Sequence, residues 1–247
     1  MSAPLFLVER VPTDSAYTLD GSEGHHAAAV VRLRAGEELL LADGRGATAL
    51  AVVEAAGRRS LDLRIVDRRY VAPADPALAV VQGIAKGDRG ELAVQAMTEV
   101  GVDEVVPWAA ARSVTRWRDE RGARARQRWV STAREAAKQA RRPWVPAVAG
   151  SDDVPAESTS AVAARLGGAA AGLVLHEAAD EPLSRVDLPA AGQIVLVVGP
   201  EGGIADEELA AFVAAGARPV RLGDSVLRTS TAGPAALAVL SVRLGRW

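Results

Sequence analysis

Two stretches in the last third of the chain carry residues suited to chemistry, Val198–Gly203 (VGPEGG) and Leu222–Ala232 (LGDSVLRTSTA). Each follows a short apolar run that reads as a buried strand, Ile194–Val198 and Arg218–Leu222. Each also opens a helix: one starts near Asp206, with Glu207 and Glu208 in its first turn, and runs to Gly216; the other is capped by Thr231. Chain that leaves a strand through Gly-Pro-Glu-Gly-Gly cannot continue regular structure, because glycine admits positive φ and proline fixes its own. Two such loops at strand ends predict one ligand-binding rim of an α/β sheet. Gly199, Gly202, Gly203 and Gly223 permit close approach to backbone amides and carbonyls, while Ile204, Leu222 and Leu227 supply apolar walls. A further strand, Gly172–Leu175, ends in His176-Glu177 at the same rim. The rim is neither a dinucleotide fingerprint nor a P-loop, since G-x-G-x-x-G and Gly-Lys-Ser/Thr are both absent.

The elements that position this rim follow a simple order. Residues 1 to about 71 read as a small, mostly β unit with strands Leu5–Val8, Glu38–Ala42, Ala47–Val53 and Leu61–Val66 and a turn at Asp43–Gly46. One helix interrupts them; Ser22 can cap it, and Arg34-Ala35-Gly36 ends it. His25 and His26, adjacent on that helix, point in different directions and serve packing or helix-end hydrogen bonds better than a shared site. The two prolines of Tyr70–Ala77 mark a domain boundary. Beyond them strands and helices alternate, as in a parallel α/β sheet: strand Leu78–Ile84, helix Glu91–Val100, strand Val102–Trp108, a long helix Arg121–Ala140, a helix around Val162–Leu166, and a final apolar helix Thr231–Arg246.

Composition bounds the function. With 247 residues, 49% hydrophobic and 24% charged, the chain has the make-up of a globular protein of one large or two small domains. No apolar run approaches a membrane span, and Glu9 and Arg10 come too early for a secretory signal, so a cytoplasmic protein is expected. The absence of cysteine excludes disulfides, thiolate-ligated zinc and thiol catalysis, and three histidines form no metal-ligand cluster. Net charge is −2, yet Arg112–Arg142 holds eleven basic and three acidic residues. That +8 stretch leaves about −10 elsewhere and predicts a nucleic-acid face. Trp129 sits in it at helical spacing and reads either as core or as a base-stacking platform.

The pairing of GPEGG with LGxxxLRTxTA resembles the SPOUT class of RNA methyltransferases, and within it the RsmE family, which methylates N3 of a uridine in small-subunit ribosomal RNA. The segment HHAAAVVRLRAGE is similar to that family's PUA-like RNA-binding domain, and Lys86-Gly87-Asp88-Arg89 with the following helix and strand resembles it too. The resemblance implies an α/β fold: a SPOUT-type parallel-sheet domain (residues 72–247), its C-terminal segment threaded as a trefoil knot, preceded by a small PUA-like β-barrel domain (residues 1–71). It implies S-adenosylmethionine as cofactor, bound by Leu175, His176, Gly199, Pro200, Glu201, Gly202, Gly203, Ile204, Leu222, Gly223, Val226, Leu227, Ser230, Thr231 and Ala232. RNA contacts are implied for Arg10, Arg32, Arg34, Lys86, Arg89, Arg112, Arg116, Arg134, Lys138, Arg141 and Arg142. The partners implied are 16S ribosomal RNA, as an assembled 30S subunit, and a second copy of the chain through the knotted domain.

Methylation at N3 of uracil must also remove a proton, which a base or a cation near the ring would favour. Glu201 and Arg228 are the catalytic candidates; Glu201 reads equally as an acceptor for a donor or loop group, and Arg228 as a partner for uracil, phosphate or Glu201. The family commonly has glutamate between the two threonines (RTETA), where this chain has Ser230 and hence no carboxylate. The family's glutamate-glutamine pair in the long helix is Lys138-Gln139 here. Two other functions fit the same residues: a non-catalytic RNA-binding assembly factor, or a knotted methyltransferase acting on another RNA position.

Overall fold

The computed structural model describes residues 3–247. The chain forms two compact units: one runs up to Pro73 and takes in Ala137–Val145, and the other comprises Ala74–Ala136 and Pro146–Trp247.

The first unit is a five-stranded sheet in the order β1-β3-β4-β5-β2. Its strands are β1 (Leu5–Leu7), β2 (Ala16–Leu19), β3 (Glu38–Ala42), β4 (Ala47–Ala56) and β5 (Leu61–Tyr70). Only β1 and β3 run parallel. Alternation along β5 sends Leu61, Leu63 and Ile65 into a core with Phe6, Leu39, Leu41 and Val53, and Asp62 and Arg64 to solvent. The turn at Asp43 forms because its Oδ1 accepts from the amides of Arg45 and Ala47. Strand β2 does not stand out in the sequence because its alternation, Tyr17 and Leu19 toward the core and Ala16 and Thr18 exposed, runs over only four residues.

Ser22 does not cap the helix of this unit. The chain enters α1 (Gly21–His25) from extended Asp20, through Gly21 at φ 62°, so Ser22 falls inside the first turn. A π-helical segment, His26–Val31, follows and stops at Arg32 in the left-handed region (φ 61°). His25 is exposed, whereas His26 stands edge-on to Phe6 and its Nδ1 lies 3.2 Å from Lys138 Nζ. Lys138 also pairs with Glu23 at 2.9 Å, so this predicted RNA contact is engaged inside the unit, with only 11% of its side chain exposed.

The second unit is a six-stranded, all-parallel sheet in the order β11-β9-β10-β6-β7-β8. Its strands are β6 (Ala77–Gly83), β7 (Glu104–Trp108), β8 (Ala147–Val148), β9 (Ala171–Leu175), β10 (Gln193–Val198) and β11 (Arg218–Val220). The helices are α2 (Arg89–Val100), α3 (Asp119–Gln139, whose residues from Ala137 on belong to the first unit), α4 (Thr159–Gly168), α5 (Asp206–Ala214) and α6 (Thr229–Arg243). Because the sheet is buried on both faces, its central strands β6, β9 and β10 are mainly apolar rather than alternating, with Gln82 of β6 a buried exception. On one face Leu78 and Val80 pack with Met97 of α2, Trp129 of α3 and Leu237 and Leu240 of α6. On the other, Ala79 and Val81 pack with Val162 and Leu166 of α4 and Phe212 of α5. Trp129 is 1% exposed and stands edge-on to Trp117, with ring centroids 4.8 Å apart. It belongs to the core and is no stacking platform.

The side-chain cap of α5 is Glu208, whose Oε2 accepts from the Ala205 amide. Its Oε1 accepts from the Ala111 amide (2.7 Å) and the Thr159 hydroxyl (2.9 Å), fastening the loop after β7 to α4 and α5. Helix α6 starts two residues before the expected Thr231 cap. Arg228 is the extended N-cap residue, and Thr229 opens the helix with its side chain turned inward. Among the described residues, no helix is long and apolar enough to cross a membrane.

Candidate active site

The carboxyl ends of β9, β10 and β11 release three loops that converge on an open cavity of about 880 Å³. In a parallel sheet this is where ligands bind, because the loops leave the strands on one edge. The first loop contributes Leu175, His176 and Glu177; the second Val198 through Ile204, with Asp206; the third Arg221 through Thr229, with Ala232. Thus Leu175, His176, Gly199, Pro200, Glu201, Gly202, Gly203, Ile204, Leu222, Gly223, Val226, Leu227, Ala232 and Arg228 are brought together. Ser230 and Thr231 lie in the first turn of α6 and do not line the cavity. Glu177 stands at the rim as expected, and Val198, Asp206, Arg221, Asp224, Ser225 and Thr229 line the cavity without having been singled out as site residues from the sequence.

The basic residues divide between the units. Arg10, Arg32, Arg34, Lys138, Arg141 and Arg142 belong to the first, and Lys86, Arg89, Arg112, Arg116 and Arg134 to the second. Arg89 and Arg112 line the cavity. Arg112 donates to the carbonyls of Gly202 (3.4 Å) and Ile204 (3.2 Å), tying down the end of the Gly-Pro-Glu-Gly-Gly loop. Arg116 donates to the carbonyls of Ala110 and Ala111, both at 2.8 Å, and so serves its own loop. Arg134 is exposed on α3, and Arg10, Arg32 and Arg34 are exposed in the first unit.

Glu201 does not pair with Arg228. Its Oε1 accepts from the Lys86 amide and from the Arg89 guanidinium, both at 3.1 Å. Partial burial works to raise its pKa, but hydrogen bonds from its own amide, the Lys86 amide and Arg89 outweigh that and leave it below the ordinary carboxylate value. A carboxylate held ionised is a weaker base, and one tied to two other chain segments is a clamp. The sign follows: the folded-state pKa is depressed, so the contact is intact above the unfolded value and is lost as pH falls through the folded one. Neutral pH therefore leaves it untouched. Glu201→Gln should weaken ligand binding several-fold while keeping kcat within about threefold; loss of a general base would cost about 10²–10⁴-fold. Steady-state kinetics separates the two.

Arg228 is exposed at the cavity and, among the described residues, meets no carboxylate. Its backbone is fixed nonetheless, since its carbonyl accepts from the Thr231 and Ala232 amides. Asp224, in the same loop, pairs with Arg221 at 3.3 Å. Gly223 and Gly203 leave room: a Cβ at Gly223 would meet nothing within 4 Å, and one at Gly203 only the Arg112 guanidinium at 3.9 Å. The cavity thus offers backbone groups, apolar walls at Ile204, Leu222 and Leu227, and one uncommitted guanidinium.

A family described as the RNA methyltransferase domain matches residues 73–241, and the RNA methyltransferase PUA domain matches residues 19–66. The ribosomal RNA small subunit methyltransferase E of Mycobacterium tuberculosis is 46% identical over 100% of this chain and 94% of its own length. The chain belongs to the RsmE family of RNA methyltransferases. Its Bacillus subtilis counterpart is 27% identical over 95% of this chain and 91% of its own. Among solved structures, the Neisseria gonorrhoeae family member bound to S-adenosyl methionine superposes with a TM-score of 0.83 at 25% identity, covering 98% of each chain. A Legionella pneumophila methyltransferase in complex with the same cofactor gives 0.79 at 28% identity, covering 98% of this chain and 97% of that one. The RsmE fold is therefore a PUA-like β unit followed by a SPOUT-type parallel α/β domain, and the three-loop cavity belongs to the latter.

Proposed function

We propose that the protein transfers the methyl group of S-adenosylmethionine to N3 of a uridine in 16S ribosomal RNA of the small subunit. The observation that carries this reading is the three-loop cavity, in which glycine backbone, apolar walls and the uncommitted Arg228 stand together. The donor supplies an activated methyl on a sulfonium, and displacement on carbon needs alignment rather than a covalent intermediate. Backbone groups of Gly199–Ile204 and Leu222–Leu227 would read the adenosine, with Leu175, His176 and Ala232 completing the cleft. Arg228 would hold the uracil and favour its N3-deprotonated form by charge. Glu201, held ionised by Arg89 and the Lys86 amide, keeps the loop closed and takes no proton. Ser230, half-buried in α6 outside the cavity, carries no carboxylate to serve as base.

In this reading residues 1–71 bind RNA and residues 72–247 catalyse, with the C-terminal segment knotted and a second copy paired through it. Exposed arginines such as Arg32, Arg34 and Arg134 contact phosphate, and the substrate is the assembled 30S subunit in the cytoplasm. The test is methyl incorporation from labelled S-adenosylmethionine into small subunits lacking the modification, followed by nucleoside digestion and mass spectrometry. The expected product is 3-methyluridine. A different methylated nucleoside would keep the donor and overturn the substrate; donor binding without turnover, or no binding, would favour an RNA-binding assembly factor.

A further inference from the structure

Gln82 is fully buried in β6, in register with Val198 of β10 on one side and Pro107 of β7 on the other. It does not line the cavity. Its Nε2 donates to Thr229 Oγ1 at 2.8 Å and to the Gly83 carbonyl at 3.2 Å. Thr229 Oγ1 in turn donates to the Gly199 carbonyl at 2.8 Å. A carboxamide nitrogen can only donate, and a hydroxyl has one proton. With Gln82 donating to its lone pair, Thr229 must direct that proton at Gly199. The relay therefore has one direction, and it joins three segments far apart in sequence: the end of β6, the Gly-Pro-Glu-Gly-Gly loop and the first residue of α6.

The arrangement is costly for the core. Gln82 Oε1 is buried with no hydrogen-bond partner among the described residues. An unsatisfied buried carbonyl oxygen destabilises, whereas methionine or leucine of similar volume would fill the same space without that penalty. Core stability does not account for a glutamine here; the position of what it holds does. Gly199 and Thr229 both line the cavity, one in each motif loop.

We infer that Gln82 is a positioning residue that, through Thr229, sets the two motif loops at the spacing the methyl donor requires; this rests on the proposed donor site. The test uses the full chain carrying Gln82→Met, Thr229→Val, both together, or Thr229→Ser. Three quantities are read: the S-adenosylmethionine Kd, the thermal midpoint, and hydrogen exchange of the Glu201–Gly203 amides without ligand. Gln82→Met and Thr229→Val should each weaken donor binding about tenfold and speed exchange at Glu201–Gly203 by about the same factor. Gln82→Met should not lower the midpoint, since it removes the unsatisfied oxygen. Thr229→Ser keeps the hydroxyl and restores binding, and the double variant is no worse than either single one, because both break the same relay. Unchanged exchange and affinity in Gln82→Met, or faster exchange spread evenly through the sheet, would overturn the inference. Failure of the unmodified protein to bind the donor would sink the proposed function instead, while the exchange comparison still decides the role of Gln82.

Discussion

Arg228→Ala is expected to lower methyl transfer about 10²–10³-fold while changing the donor Kd by less than about threefold. The guanidinium sits at the cavity without a carboxylate partner, so its charge is available to a substrate rather than spent on the fold. Its backbone is held by the first turn of α6 and its side chain makes no cap. Alanine should therefore leave stability within about 0.5 kcal/mol, and lost turnover cannot be assigned to unfolding. The pH profile identifies the role. If Arg228 favours the N3-deprotonated ring, alkaline solution supplies the same anion unaided, and the gap between the variant and the unmodified enzyme narrows as pH rises. Arg228→Lys keeps the charge without the planar fork and should recover part of the rate. A variant with unchanged kcat and a raised KM for RNA would instead make Arg228 a phosphate contact.

The parts of this architecture legible in the sequence are those set by local pattern. The apolar run Ile194–Val198 and the mainly apolar stretch Leu78–Ile84 mark strands buried on both faces, and Gly-Pro-Glu-Gly-Gly cannot be anything but a loop. What the pattern could not reveal is which partner a polar group finds across the fold. A pair between Glu201 and Arg228 is one of the readings the two motif loops allow; Glu201 is instead taken by Arg89 and the Lys86 amide, more than a hundred residues upstream. Thr231 looked like the cap of α6 because it precedes an apolar periodic run, but Thr229 and Arg228 start the helix and the inward threonine serves Gln82. Lys138 counted toward a basic face until its Nζ met Glu23. Gln82 itself, one polar letter in an apolar strand, is the signal in the sequence that points to a residue kept for something other than packing.

Gly83→Ala should be the most informative single change in the strand beneath the loops. Gly83 does not have a positive φ, so the backbone accepts alanine. The obstacle is contact: the added Cβ would stand 2.6 Å from the Pro200 nitrogen and 2.7 Å from its Cδ. These are backbone and ring atoms with no flexible end to yield, so either β6 bends or the Gly-Pro-Glu-Gly-Gly loop moves outward. Overpacking of this kind costs about 1–3 kcal/mol, and the methyl-donor affinity should fall more than tenfold if, as proposed, the donor binds in the cavity this loop lines. Gly168→Ala, where a Cβ meets nothing within 4 Å and φ is not positive, is the matched control and should change neither quantity. Pro200→Ala removes the clashing Cδ and, combined with Gly83→Ala, should recover part of the affinity. Donor affinity unaffected by Gly83→Ala despite a lowered thermal midpoint would mean that the bound cofactor does not read the position of this loop, and that the glycine is there only to let two strands' ends pack.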